Sequence, residues 1–284
     1  MTAVKALLLG LIQGIAEFLP ISSSGHLELF KNILGLTEVP LLFDVILHIA
    51  TLFAVVAVLR KRIGAIFAAL WRFLFGRKAP SAKGLSKTQK KKDEESQQNL
   101  AFVLPIIIAT AVTGVIGILI EKVLLEEFAW MSGTKFVAVD MLITAAILGL
   151  TAIVKPGERG PARIGKGRAA FIGFAQGIGV FSGISRSGIT ISAGLFAGLN
   201  RETAGELSFL LSIPAILGAF VLTIKDAGSM MATISFAQLA LAFIAALLSG
   251  MASLKILMKI IKSGKIYWFA PYLVLVGISG LLLG

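Results

Sequence analysis

The chain has 284 residues, 57% of them hydrophobic and only 15% charged, with a mean hydropathy of +0.92. Such a composition excludes an ordinary soluble domain and makes the bilayer the solvent. The absence of cysteine excludes disulfides and thiolate metal sites, and the formal charge of +12 is spent on topology, not on nucleic acid, as the placement of its basic residues shows.

In chain order, residues 3–19 and 27–36 are two apolar pieces separated by Pro20, Ser22, Ser23, Ser24 and Gly25. Each is short for a full crossing at about 1.5 Å per residue, so a re-entrant helical hairpin is expected over 3–36. The first piece carries Gln13 and Glu17 and lacks a basic start with a small-residue cleavage site, so no cleavable signal peptide is expected. A span follows at 41–59. After it, Ile63–Phe75 reads as a short amphipathic segment with Arg72, lying at the inner interface, and Gly76–Asn99 as a polar, charged loop. Spans are predicted at 99–121 and 135–154. A second interrupted pair, 169–181 and 189–199, is broken by Ser182, Gly183, Ser185, Arg186, Ser187 and Gly188, and predicts a second re-entrant hairpin over 169–199. Three more spans are predicted at 203–224, 234–254 and 267–283.

Eleven Lys and Arg residues fall between Arg60 and Lys92, five between Lys155 and Arg168, and four between Lys255 and Lys265. Positive charge beside spans marks the cytoplasmic side. The three basic loops, including the long one at 60–98, are therefore expected inside, and the outer loops, Glu121–Lys135 and the one holding Lys225 and Asp226, nearly neutral. No nucleic-acid partner is expected. Each half then has three spans, and because three is odd the halves have opposite orientation. The sequence repeats accordingly. At an offset of 163 positions, Gly10, Gln13, Gly14, Ile15, Phe18, Ile21, Ser22, Ser24 and Gly25 meet identical residues at Gly173, Gln176, Gly177, Ile178, Phe181, Ile184, Ser185, Ser187 and Gly188. The expected fold is an all-α polytopic membrane protein with an inverted-topology repeat: residues 1–160 and 161–284, each one re-entrant hairpin plus three transmembrane helices. Such repeats place the binding site near the midplane, where the halves meet.

The repeated stretch carries chemistry. In SSSGH and SRSG the serines Ser22, Ser23, Ser24, Ser185 and Ser187 precede apolar helices and are placed to cap them. Helix N-termini bind anions, and Arg186 adds a planar fork matched to phosphate oxygens. Alternatively, the serines merely cap their helices and Arg186 pairs with Glu17. Gln13 precedes Glu17 by four residues and shares its helix face, so the two can offer oxygens to Mg²⁺ or Ca²⁺; a simple Glu17–Arg186 ion pair is the alternative, and the two can hold at different stages. His26, three residues after Ser23, can serve as base or acid. His48, mid-span, reads as structural, and Asp44 as orienting the hairpin; Asp140, Glu28 and Glu206 carry no assigned role.

Taken together, QxxxE, SSSGH, FDxxLH and SGxSRSGxT resemble the undecaprenyl-diphosphate phosphatase family of bacitracin-resistance membrane proteins, along nearly the whole chain. The resemblance implies removal of the terminal phosphate of a C55 isoprenoid diphosphate, regenerating the monophosphate carrier for cell-wall glycan assembly, at a site open to the outer face of the cell membrane and dependent on a divalent cation. It assigns Gln13 and Glu17 to the acidic motif, Ser23 and His26 to the serine and histidine, and Ser185, Arg186, Ser187 and Thr190 to the arginine motif. Ser182 stands where that family usually has proline. The nucleophile is left as Ser23, activated by Glu17 or His26, or as His26 itself. Phosphatidic-acid-type phosphatases share SGH and SR elements, but their His-x-x-x-Asp partner is missing here. The rival reading is a transporter or flippase of an anionic substrate. The expected partners are a polyisoprenyl diphosphate and membrane lipids; a homodimer is compatible with the sequence.

Overall fold

The computed structural model describes residues 1–36, 39–75, 87–125, 127–128, 133–155, 157–224 and 234–283. Among them the fold is all helical: α1 (Ala3–Phe18), α2 (Ser23–Ile33), α3 (Leu41–Phe75), α4 (Lys87–Leu100), α5 (Val103–Leu119), α6 (Thr134–Leu150), α7 (Lys166–Ile178), α8 (Arg186–Phe196), α9 (Arg201–Thr223), α10 (Phe236–Ser263) and α11 (Ala270–Leu283). One isolated parallel bridge, Arg159 with Leu199, is the sole β pairing there.

Among the described residues, four helical stretches are long and apolar enough to cross a membrane: Leu41–Phe75, Lys91–Leu125, Arg201–Thr223 and Phe236–Ser263. The spans expected at 135–154 and 267–283 correspond to shorter helices. Thr134–Leu150 has 17 residues, about 26 Å at 1.5 Å per residue, just under a bilayer core. It packs along α11. Large apolar side chains such as Phe53, Ile107, Val221, Leu248 and Leu275 stand exposed on the surface, as a hydrocarbon solvent allows.

Two expectations about the 60–99 region are corrected. α3 runs unbroken through 35 residues, so Ile63–Phe75 continues the first span instead of forming a separate interfacial piece; neither Pro nor a crowded Gly interrupts it, and Gly64 faces open space. The part of the expected loop from Lys87 to Asn99 is helical. KTQKKKDEESQQNL contains no Gly or Pro and is rich in good helix formers, a case where high charge was read as irregular structure. Residues 76–86, with part of the basic run, lie outside the described residues, as do Lys225 and Asp226 and part of Glu121–Lys135.

Some of the helix contacts come in matched pairs, although α8 packs on α9 without a comparable contact of α2 on α3. α1 packs along α10, and α7 along α5; α1 returns on α2, and α7 on α8; α3 meets α9, and α6 meets α11. The closest approaches match too. A Cβ on Gly10 would lie 2.9 Å from the Ala242 carbonyl carbon, and one on Gly173 would lie 2.7 Å from the Ala109 Cα. Backbone cannot retreat as a side-chain tip can, so bulk at these positions forces the helices apart. Gly10→Ala and Gly173→Ala are each expected to destabilise the fold by about 1–3 kcal/mol, read as a lower thermal midpoint in detergent. Gly114→Ala, whose Cβ meets open space, is the near-neutral control.

Around this frame the two turns are sheltered. α8 is buried on every side from Ser187 to Leu195, and α9 from Thr203 to Ser212, ahead of Pro214. Phe18 of α1 packs edge-on against Phe209 of α9, with ring centroids 5.9 Å apart. In the α1–α2 turn Pro20, Ile21 and Ser22 are buried, and in the α7–α8 turn Gly183, Ile184 and Ser185 are buried while Val180 is exposed.

Candidate active site

Both turns are tied by serine caps at repeat-equivalent positions. Ser22 caps α2, its Oγ accepting from Gly25 N at 3.3 Å, and Ser185 caps α8, its Oγ accepting from Gly188 N at 3.1 Å. The same Ser22 Oγ donates to the Ser182 carbonyl at 2.6 Å, which joins one turn directly to the other. Ser22 adopts φ 68°, the only positive φ among the described non-glycine residues. That conformation is costly for a residue with a Cβ and persists only where its surroundings hold it.

Glu17, 5% exposed, is the centre of the cluster. Its Oε1 is ion-paired with Arg186 Nη2 across the two turns. Its Oε2 accepts from Ser23 Oγ at 2.7 Å and from Gln13 Nε2 at 2.9 Å, and His48 Nε2 stands 3.3 Å away. A carboxylate so buried needs such partners. The structure thus brings Gln13, Glu17, Ser23 and Arg186 together and adds His48, which the sequence reading left as structural. His48 is held by Nδ1 donating to the Asp44 carbonyl at 2.8 Å, and Asp44 in turn binds Lys31 at 2.5 Å. A histidine inside an apolar span carries no local pattern that reveals its partner; only the packing of α3 on α1 does.

The arginine motif folds around its own helix start. Ser185 Oγ and Ser187 Oγ are 3.2 Å apart, Ser185 N donates to Thr144 Oγ1 at 3.1 Å, and Thr190 donates to the Arg186 carbonyl while accepting from Ser208 Oγ at 3.0 Å. Thr190 thus braces the first turn that carries Arg186. Ser24 is exposed and stands apart from the cluster. His26 is buried, but neither ring nitrogen reaches Ser23 or Glu17: Nδ1 lies 2.8 Å from the Ser22 carbonyl and Nε2 lies 2.6 Å from the Tyr272 hydroxyl. Tyr272 was not singled out by the sequence reading, because an aromatic residue near the start of an apolar helix reads as an interfacial anchor.

One space adjoins the cluster, and a second lies beside the His26–Tyr272 contact. A crevice of about 10 Å³ is lined by Glu17, Phe18, Arg186, Ser187, Ser208, Phe209 and Ser212, room for one water at most. A groove of about 530 Å³ lies between α2, α6 and α11, walled by Gly25, Leu29, Ile33, Val137, Met141, Tyr272, Leu275 and Val276. It is largely apolar and begins beside His26.

The described chain is thus an all-helical protein with spans apolar enough for a membrane, in which a buried carboxylate, an arginine and a hydroxyl meet at two capped helix starts. Residues 6–279 match the family described as Bacitracin resistance protein BacA, and the chain belongs to that family. Similar proteins include an undecaprenyl-diphosphatase of Treponema denticola, 44% identical over 98% of this chain and 96% of its own length. Another, from Desulforapulum autotrophicum, is 39% identical over 100% of this chain and 99% of its own. A third, from Methanosphaera stadtmanae, is 39% identical over 99% and 97%; both carry the same name.

Proposed function

We propose that this protein is an integral-membrane phosphatase that hydrolyses undecaprenyl diphosphate, or a polyisoprenyl diphosphate of similar length, to the monophosphate carrier and phosphate. The carrying observation is the Glu17 cluster, in which one carboxylate accepts from a hydroxyl nucleophile and pairs with an arginine from the other turn. Transport needs an anion site but no hydroxyl held on a base. The full-length likeness to proteins named undecaprenyl-diphosphatase supports the same reading.

In the proposed reaction, the diphosphate draws Arg186 from Glu17 to its own oxygens, which opens the small crevice and frees the carboxylate. Ser23 Oγ attacks the terminal phosphorus and its proton passes to Glu17. As the new P–O bond forms, the bond to the bridging oxygen breaks and its electron pair leaves with the lipid monophosphate. Water then hydrolyses the phosphoserine, releasing phosphate and restoring Ser23. Negative charge spread over the phosphoryl oxygens is met by Arg186 and by the N–H groups at the starts of α2 and α8. Ser23 is preferred to His26 as nucleophile because both ring nitrogens of His26 are engaged elsewhere. The isoprenoid tail lies along the apolar groove between α2, α6 and α11, where shape suffices and no polar recognition is required.

A divalent cation, Mg²⁺ or Ca²⁺, belongs to the proposal. The residues fit one: Gln13 Oε1 is buried without a hydrogen-bond partner, beside a fully enclosed carboxylate. Among the described residues no group of three or more His, Cys, Asp or Glu could hold a metal alone, so Gln13 and Glu17 would hold the cation together with substrate oxygens and water. When bound, the cation supplies charge neutralisation on the phosphates. Chelation is expected to abolish phosphate release and to weaken binding of a non-hydrolysable diphosphonate analogue. Gln13→Ala is expected to raise several-fold the cation concentration that restores analogue binding; unchanged cation dependence would remove Gln13 from the set.

The architecture belongs here as well. The matched helix contacts and matched glycine approaches support two repeats of opposite orientation, residues 1–160 and 161–284, each opening with a re-entrant hairpin. With the basic loops inside, the site faces the outer side of the cell membrane. The test is phosphate release from a long-chain isoprenoid diphosphate in detergent micelles with cation present. Release that vanishes in Glu17→Ala and Arg186→Ala supports the phosphatase; none from the intact protein supports the transporter.

A further inference from the structure

We infer that Tyr272 is a positioning residue for the reaction: its hydroxyl holds the His26 imidazole in one tautomer and one orientation at the junction of the headgroup site and the apolar groove. The inference rests on the phosphatase reading for its kinetic consequences, but its geometric part stands independently.

His26 Nδ1 lies 2.8 Å from the Ser22 carbonyl oxygen, and a carbonyl only accepts, so Nδ1 carries a proton. In the neutral ring Nε2 then bears the lone pair, and the group facing it at 2.6 Å is the Tyr272 hydroxyl, which must donate. The two rings are stacked, with centroids 5.7 Å apart and planes at 15°, so the phenol fixes the imidazole plane as well as its proton. Ser22, which anchors the other nitrogen, is itself the residue at φ 68° and the link to Ser182. The histidine is therefore clamped between the strained turn on one side and α11 on the other.

Tyr272 has a second face. It is 43% exposed and lines the groove with Gly25 and Leu275. A hydroxyl suits this place better than a fixed donor or acceptor because it can reverse: it donates to the neutral ring and accepts once Nε2 carries a proton. His26 can thus take up or give up a proton at Nε2 by way of the Tyr272 hydroxyl, which faces the groove proposed for the lipid, without losing its partner. The ring does not touch the reacting phosphorus; it acts through His26.

Tyr272→Phe keeps the ring and removes only the hydroxyl. It is expected to lower kcat roughly 10- to 100-fold, the range seen when a partner that orients a functional histidine is lost, with KM within about threefold and an unchanged melting midpoint. In a His26→Ala background the same change is expected to cost nothing further, because the effect passes through the imidazole. An undiminished loss in that background would overturn the inference. The chain has two histidines, so ¹⁵N-histidine NMR in detergent, with His48→Gln for assignment, reads His26 directly. We expect a protonated Nδ1 and a hydrogen-bonded, unprotonated Nε2 in the intact protein, and an Nε2 signal moved to the unbonded position in Tyr272→Phe. An unmoved signal would contradict the clamp. If Tyr272→Phe fails to fold, 3-fluorotyrosine at both tyrosines of the chain keeps the shape and alters donor strength; the Nε2 signal must then shift. Absence of phosphate release from the intact protein would sink the phosphatase reading, while the NMR result still decides whether Tyr272 holds His26.

Discussion

Glu17→Gln is expected to reduce phosphate release by about a thousandfold or more, and to do so with a loss of stability that Ser23→Ala does not share. Glutamine preserves volume and still accepts from Ser23, but it takes no proton, and loss of a positioned base costs roughly 10²- to 10⁴-fold. It also leaves Arg186 facing a neutral amide. Removing one partner of a buried pair costs about 3–5 kcal/mol, reduced here because the Arg186 side chain keeps 22% of its exposure. Ser23→Ala removes the nucleophile and one hydrogen bond to Oε2 while the ion pair stays, so activity is lost with the melting midpoint nearly unchanged. The paired measurement, kinetics and thermal unfolding on both variants, separates chemistry from scaffolding. Equal stability of the two variants would show that the pair with Arg186 does not hold the turns together.

The second large effect concerns Arg186. Arg186→Lys conserves charge yet is expected to lose roughly 10²- to 10³-fold in kcat, comparable to removing a preorganised donor from a developing oxyanion. A guanidinium at the first position of α8 can reach Glu17 and, in the proposed reaction, two phosphate oxygens in one plane; an ammonium offers a point charge and no fork. Arg186→Lys is also expected to weaken binding of a non-hydrolysable diphosphonate, measured by calorimetry in detergent. Retained activity with lysine would mean that charge alone suffices.

Much of this was legible in the chain. Nine identities over one offset revealed two equivalent turns, and the cap chemistry of Ser22 and Ser185 follows from serine preceding an apolar run. The Glu17–Arg186 pair that the structure shows stood in the sequence reading as the alternative to a phosphate clamp, since each residue is costly alone in a membrane. What was not legible depends on packing across distant segments. His48 reaches Glu17 only because α3 meets α1, and Tyr272 reaches His26 from 246 residues away. Exposure and boundary errors had simpler causes. Charge in 87–99 was read as irregular structure although its residues favour helix, and a basic stretch at Arg60–Arg62 was read as the end of a span although nothing there breaks α3.

The account rests on one buried centre shared by both turns, and a structure with a non-hydrolysable isoprenoid diphosphonate and Mg²⁺ tests it most directly. We expect the phosphonate on Arg186 and the starts of α2 and α8, Glu17 released from Arg186, Ser23 Oγ facing the terminal phosphorus, and the tail in the groove beside Tyr272. A headgroup bound elsewhere, with the Glu17 to Arg186 pair intact, would contradict it.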